Sequence, residues 1–136
     1  MWTTVSVDDT RICTEADAEA AETVAATAVS WGQLHQQFWR YAHCDDGAIA
    51  EGFSESVTVL LAKHWDDLEE LGMIVTSDSA FRKFVIRHID ETVAEERLKL
   101  IAENADNQCP RYLKKLCLDI RAAVKQRECG TRRHMQ

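Results

Sequence analysis

The chain has 136 residues, 46% hydrophobic and 29% charged, with 1 Pro and 5 Gly, which suits one folded domain and excludes a disordered, collagenous or repetitive chain. A net charge of −7 argues against general nucleic-acid binding, and no apolar run approaches the ~20 residues that span a bilayer. The charge is unevenly spread: residues 1–76 carry 3 Lys/Arg against 14 Asp/Glu, and residues 77–136 carry 13 against 9.

Helix signals recur along the chain. Thr14 is an N-capping hydroxyl with Asp17 three residues on, and an Ala-rich helix follows to Ala28. Its apolar stripe is poor, so it is expected at the periphery. Ser30-Trp31-Gly32-Gln33 is a capping box, after which Trp31, Leu34, Phe38 and Tyr41 share one face of a second helix. Asp46 is the expected N-cap of a third, whose inward stripe is Ile49, Phe53, Val57, Leu60, Leu61 and His64. Ala48, Gly52 and Ser56 line an adjacent small face that permits close approach of another backbone.

Asp66-Asp67-Leu68-Glu69 opens a short fourth helix that Gly72 is expected to close, leaving Met73-Ile74-Val75 as an apolar plug. A fifth helix carries Phe81, Phe84, Val85, His88 and Ile89, and Thr92-Val93-Ala94-Glu95 reads as a capping box for a sixth running to about Asn107. Cys109-Pro110 marks the start of a seventh, with Leu113, Leu116, Cys117, Ile120 and Val124 inward. The expected architecture is all-α: one domain over residues 1–136, a compact bundle of five to seven short helices, with residues 1–13 and 127–136 frayed.

Five cysteines at 13, 44, 109, 117 and 129 contain no Cys-x-x-Cys pair, so a zinc site is not expected. If Cys109 caps the last helix, Cys117 lies about 12 Å further along it, beyond disulfide reach unless the helix starts late. Cys44 is then the preferred partner of one of them. The alternative is free thiols, buried at Cys44 and Cys117 and exposed at Cys13 and Cys129.

His35, Trp39 and His43 share a face of the second helix, two turns end to end, too far apart for the histidines to hold one metal. Trp39 reads either as an interaction residue or as packing against the first helix. His64 and His88 sit on inward stripes and could meet for acid–base or metal chemistry beside Asp90 or Glu91, or be satisfied core histidines. Glu51 and Glu55 lie one turn apart without a second Glu-x-x-His motif, so they read as solvated. With Asp45, Asp46, Asp66, Asp67, Glu69 and Glu70 they make an acidic surface suited to a basic partner. No Gly-rich phosphate loop, Gly-x-Ser-x-Gly elbow or His-Glu-x-x-His occurs, and neither a cofactor nor a metal is expected. Arg111, Lys114, Lys115, Arg121, Lys125, Arg127, Arg132 and Arg133 form a basic C-terminal stretch that could touch phosphates but lacks aromatic readers.

The stretch from Phe38 to Cys117, through Cys44-Asp45-Asp46-Gly47, Phe53-Ser54-Glu55, Trp65-Asp66-Asp67-Leu68, Phe84-Val85-Ile86-Arg87-His88-Ile89-Asp90 and Cys109-Pro110, resembles small helical bacterial proteins of uncharacterised function. More loosely, it is similar to immunity proteins that neutralise type VI secretion amidase toxins. That resemblance implies a helical, periplasmic, non-enzymatic inhibitor, often a homodimer, that inserts a loop or helix end into a toxin's active-site cleft. The start MWTTVSVDD has neither part of a signal peptide, so the chain reads as cytoplasmic as written and as periplasmic where a leader has been removed.

Three functions from different classes follow. The first is a protein-binding, immunity-type domain using Trp39 and the acidic surface. The second is an enzyme built on His64 and His88, and the third a nucleic-acid binder using the basic C-terminal helix.

Overall fold

A computed structural model describes the backbone of residues 11–90 and 92–134, and side chains as far as Arg127. Seven α-helices run in the order α1 (Glu15–Ala25), α2 (Trp31–Tyr41), α3 (Gly47–Lys63), α4 (Leu68–Ser77), α5 (Ser79–Arg87), α6 (Glu95–Asn107) and α7 (Lys114–His134). Single 3-10 turns at Ala42–Cys44, Trp65–Asp67 and Arg111–Leu113 lead into α3, α4 and α7, and there is no strand among the described residues.

The first two helices begin where their side chains dictate. Thr14 Oγ1 accepts from the Asp17 N–H at 3.0 Å, and Ser30 Oγ accepts from Gln33 N–H at 3.1 Å while Gln33 Oε1 accepts from Val29 N–H at 2.8 Å. These bonds satisfy amide groups that the first helical turn leaves unpaired.

At the centre lies α3, flanked by α1 and α6, with α7 on α6 and on α5 and α2 against α4. Four phenylalanines from three helices form the middle of the core: Phe38 and Phe53 approach Phe84 with ring centroids at 4.8 and 5.1 Å, and Phe38 meets Phe81 at 5.3 Å. Such tilted and edge-on geometries are those that aromatic quadrupoles favour.

The small face of α3 does what its spacing predicts. A Cβ on Gly52 would stand 2.9 Å from the Ala25 Cβ and 3.2 Å from the Ala26 backbone nitrogen. Ser56 Oγ donates to Ala25 O at 2.5 Å and accepts from Ala28 N–H at 3.3 Å. Alanines thus suffice to bury α1: Ala21 and Ala25 are inaccessible despite the poor apolar stripe, and α1 ends at Ala25 rather than Ala28 because Ser56 takes the chain's next polar groups.

Two expected boundaries are corrected. Gly72 does not close α4, which continues through Met73-Ile74-Val75 to Ser77. Its missing side chain instead lets Leu113 pack against the helix, 2.5 Å from where a Cβ would stand. Met73 consequently faces outward, 72% exposed, instead of plugging the core. The Thr92 capping box does not form either: α6 starts at Glu95 behind Ala94, and Thr92 Oγ1 donates to Asp90 Oδ1 at 2.5 Å.

Only the structure reveals how the lower end of α3 is closed. Asn104 Nδ2 of α6 donates to the carbonyls of Leu61 and Ala62, each at 3.1 Å, and Trp65 Nε1 donates to Gln108 O at 2.9 Å. Buried polar atoms thus take over carbonyls that a helix C-terminus leaves open.

The expected fraying at residues 1–13 and 127–136 falls partly outside the described residues. Within them, Cys13 is disulfide-bonded and the α7 backbone remains helical to His134.

Candidate functional site

The densest polar cluster lies where the start of α3 meets the end of α5. His88 is the C-cap of α5 and 3% exposed, and Ser54, on the second turn of α3, is 1% exposed. His88 Nδ1 lies 2.8 Å from Ser54 Oγ, and His88 Nε2 lies 2.8 Å from Asp45 Oδ2. Ser54 Oγ donates to Asp90 Oδ2 at 2.6 Å, and Arg87 Nη2 donates to the same Asp45 oxygen at 2.6 Å.

The distances are those of a Ser-His-Asp relay, but the protons run differently. The Ser54 hydroxyl donates to Asp90, so its oxygen is left to accept from the ring rather than donate to it. A nucleophile activated by His88 would need the opposite direction. The network instead ties together α3, α5, Asp45 beside the 3-10 turn Ala42–Cys44, and Asp90.

Burial pushes Asp45 up, but the hydrogen bond and charge of His88, then those of Arg87, outweigh it and hold the carboxyl below its ordinary value. Asp90 is lowered in the same sense: burial opposes, and Ser54, the Thr92 hydroxyl and amide, and the His88 charge prevail. Ser54 also touches a pocket of about 370 Å³ that Glu51, Glu55, Thr92 and Arg97 line.

The sequence leaves two readings of His64 and His88, a meeting for acid–base or metal chemistry or satisfied core histidines, and the structure does not bring the pair together. His64 is exposed at the C-cap of α3, ten residues or about 15 Å of helix from Ser54. The inward stripe expected for His64 ends one residue early because α3 terminates at Lys63. Among the described residues no group of three or more His, Cys, Asp and Glu is placed to hold a metal ion.

Trp39 turns its indole N–H to the corner between α4 and α5. Its Nε1–H donates to Asp78 Oδ2 at 2.9 Å, the oxygen that His35 Nε2 reaches at 2.7 Å, while Asp78 Oδ1 caps α5 through Phe81 N–H at 3.1 Å. Trp39 is therefore half-buried and tied to the α4–α5 corner rather than presented as a free indole. His43 pairs with Asp17 Oδ2 at 3.0 Å and contacts Arg11.

The acidic surface is broken up by the fold. The Asp45 side chain is 6% exposed and spent on His88 and Arg87, which removes it from any docking surface. Asp46 caps α3 through Gly47 N–H at 2.9 Å, where Gly47 takes a φ of 53°, a conformation that favours glycine. Glu55 pairs with Arg97 at 2.6 Å, and Glu70 Oε1 accepts from the Trp31 N–H of α2 at 3.2 Å. Glu51 stays exposed but is separated from the Asp66 cluster by the length of α3, about 18 Å to Lys63.

Asp66, Asp67 and Glu69 remain exposed together at the α3–α4 corner. Beside them stand two exposed side chains, Tyr112, which the sequence pattern leaves out, and Met73, which it assigns to the core plug. Tyr112, 67% exposed, stands next to Glu69, and its phenol is pushed up by desolvation, then by Glu69. Met73 lies one turn beyond Glu69 on α4. Leu113 against Gly72 fixes the 3-10 turn Arg111–Leu113 on this helix. The signal available in the sequence was Met73 itself, out of phase with Leu68, Leu71 and Val75.

The cysteines correct the expected pairing. Cys44 bonds Cys13, with Cα atoms 5.1 Å apart, and Cys109 bonds Cys117 at 6.3 Å. The second pair is within reach because α7 starts at Lys114, so the chain from Cys109 first turns through Pro110 and a 3-10 turn. Cys129, Arg132 and Arg133 lie outside the described side chains. Of the remaining basic stretch, Arg121 pairs with Asp106 at 3.3 Å and Arg127 Nε donates to Ile89 O at 3.1 Å, while Arg111, Lys114, Lys115 and Lys125 are exposed.

No family model, curated protein or solved structure matches the chain.

Proposed function

We propose that this all-α chain is a non-enzymatic binding domain, of the immunity-inhibitor kind, that captures a basic protein through the α4 corner. The observation that carries the reading is the placement of Met73 and Tyr112, both strongly exposed, around Glu69 with Asp66 and Asp67 at the rim. Tyrosine and methionine are enriched at the centres of protein interfaces, and an acidic rim steers and selects a basic partner. Two disulfides in so short a chain support an oxidising compartment, the setting such an inhibitor would share with a secreted toxin.

The test is site-specific photo-crosslinking of the oxidised protein in extract of its own cells, with the photoreactive residue at position 73 and a control at position 12. Ile12 is 79% exposed and adjoins the Cys13–Cys44 bond, at the end of α2 away from the Trp31–Glu70 contact. A single adduct from position 73, lost on Asp66→Lys plus Asp67→Lys and at high salt, is expected. The same adducts from both positions, or an adduct indifferent to charge reversal, would overturn the reading.

A further inference from the structure

One groove of the molecule carries a lining of the opposite sign. It runs between α5 and α7 with a volume of about 620 Å³, within the range of binding sites. Its ends are strapped: Arg82 of α5 pairs with Asp119 of α7 near the start, and Arg127 Nε donates to Ile89 O beyond the last turn. Between the straps lie about two helical turns, or ~12 Å. The floor is Ile86, Ala122 and Ala123, apolar and small enough for another backbone to approach.

On the outer rim stand Lys83 and Arg87, one turn apart on α5 and both exposed. Lys83 makes no ion pair among the described residues, and Arg87, anchored by Asp45 through one nitrogen, keeps its side chain 61% exposed. The carboxylate in the described lining, Asp119, is taken by Arg82, which leaves Lys83 and the exposed part of Arg87 as the rim's charge on a chain whose net charge is −7. Such a local reversal focuses potential on an anion.

We infer that this groove binds an acidic amphipathic helix of a partner protein, with carboxylates one turn apart meeting Lys83 and Arg87 and an apolar side chain on the Ile86–Ala122–Ala123 floor. The match is periodic. Cations at i and i+4 on one helix face carboxylates of the same spacing on the other, and the helix lies in the groove by its apolar face. The site is distinct from the α4 corner and does not depend on the function proposed there.

The probe is a fluorescently labelled helical peptide with glutamate at every fourth position and leucine between. Its lysine counterpart serves as control, and both are titrated against the full oxidised chain, with amide shifts mapping the site. The glutamate peptide is expected to saturate and to shift amides of α5 and α7. Lys83→Glu and Ala122→Glu, both at exposed helical positions, should each weaken it about tenfold with an unchanged circular dichroism spectrum, and salt should weaken it further. Equal affinity for the Lys83→Glu variant, binding of the lysine peptide to the same amides, or shifts lying elsewhere would overturn the proposal. So would self-association abolished by Lys83→Glu, which would assign the groove to a second copy. Displacement of the peptide by decanoate at lower concentration would assign it to a small aliphatic acid and overturn the proposal equally.

Discussion

Asp45 and His88, 43 residues apart in the chain, meet at 2.8 Å with both side chains almost wholly buried. Their contact closes the corner between the 3-10 turn Ala42–Cys44 and the end of α5. Removing one partner of a buried pair leaves the other uncompensated, a loss of about 3 kcal/mol or more. Asp45→Asn should therefore lower the urea midpoint markedly. Ser54→Ala, which deprives both His88 and Asp90 of a partner, should lose about 2 kcal/mol. Chemical denaturation of each variant and of the double variant checks this, and strong coupling between the two sites is the expected result.

Four carboxylates, Asp17, Asp45, Asp78 and Asp90, are held below their ordinary value of 3.8. A carboxyl whose folded pKa is depressed contributes stability that is fully present above the unfolded value and disappears as pH falls through the folded one. The protein should thus lose stability as the pH falls below the unfolded value of about 4. The Asp45→Asn variant should lose it less steeply, because one of the protons taken up on unfolding no longer exists. Urea titrations across that range give both slopes.

Gly52 and Gly72 should respond differently to a methyl group. At Gly52 the new Cβ would meet a Cβ and a backbone nitrogen of α1, neither of which can move alone. Overpacking of that kind costs about 1–3 kcal/mol, more than the helix propensity that alanine returns. At Gly72 it meets the tip of Leu113, which can rotate away. Gly52→Ala should be clearly destabilising, and Gly72→Ala should change stability by less than about 1 kcal/mol. Thermal melts of the two variants, side by side, decide it.

The Cys13–Cys44 bond closes a separation of 31 residues and Cys109–Cys117 one of 8. Loop-closure entropy then gives the first about 1 kcal/mol more stabilisation than the second. Cys13→Ser plus Cys44→Ser should lower the melting temperature more than Cys109→Ser plus Cys117→Ser. Alkylation followed by intact mass should label one thiol of the five cysteines before reduction and all five after it.

Local chemistry made much of this legible in the sequence. The caps at Thr14, Ser30 and Asp46 act within three residues of themselves, so their side chains and their targets are adjacent in the chain. The Phe81, Phe84, Val85 and Ile89 stripe is a matter of helical period, and so is the small face around Gly52. Where two local signals competed, the sequence misled. Gly72 can end a helix or admit a neighbour, and Thr92 can cap α6 or bond Asp90; the choice depends on Leu113, distant in the chain from Gly72, and on Ser54 of α3, which holds Asp90.

By itself the sequence determined an all-helical chain, the identity of most core residues and a charge that divides between its halves, because periodicity, capping and composition are properties of neighbouring residues. The tertiary structure alone decided which carboxylates remain free. Asp45 and Glu70 look as solvated as Asp67 in one dimension, yet the fold brings His88 to one and the α2 N-terminus to the other. It also decided the cysteine pairs, the exposure of Met73 and Tyr112 and the basic groove between α5 and α7. Apart from the Cys109–Cys117 bond, set by the late start of α7, these arise between segments distant in sequence, where the long-range packing of the helices sets the distance and no local preference can.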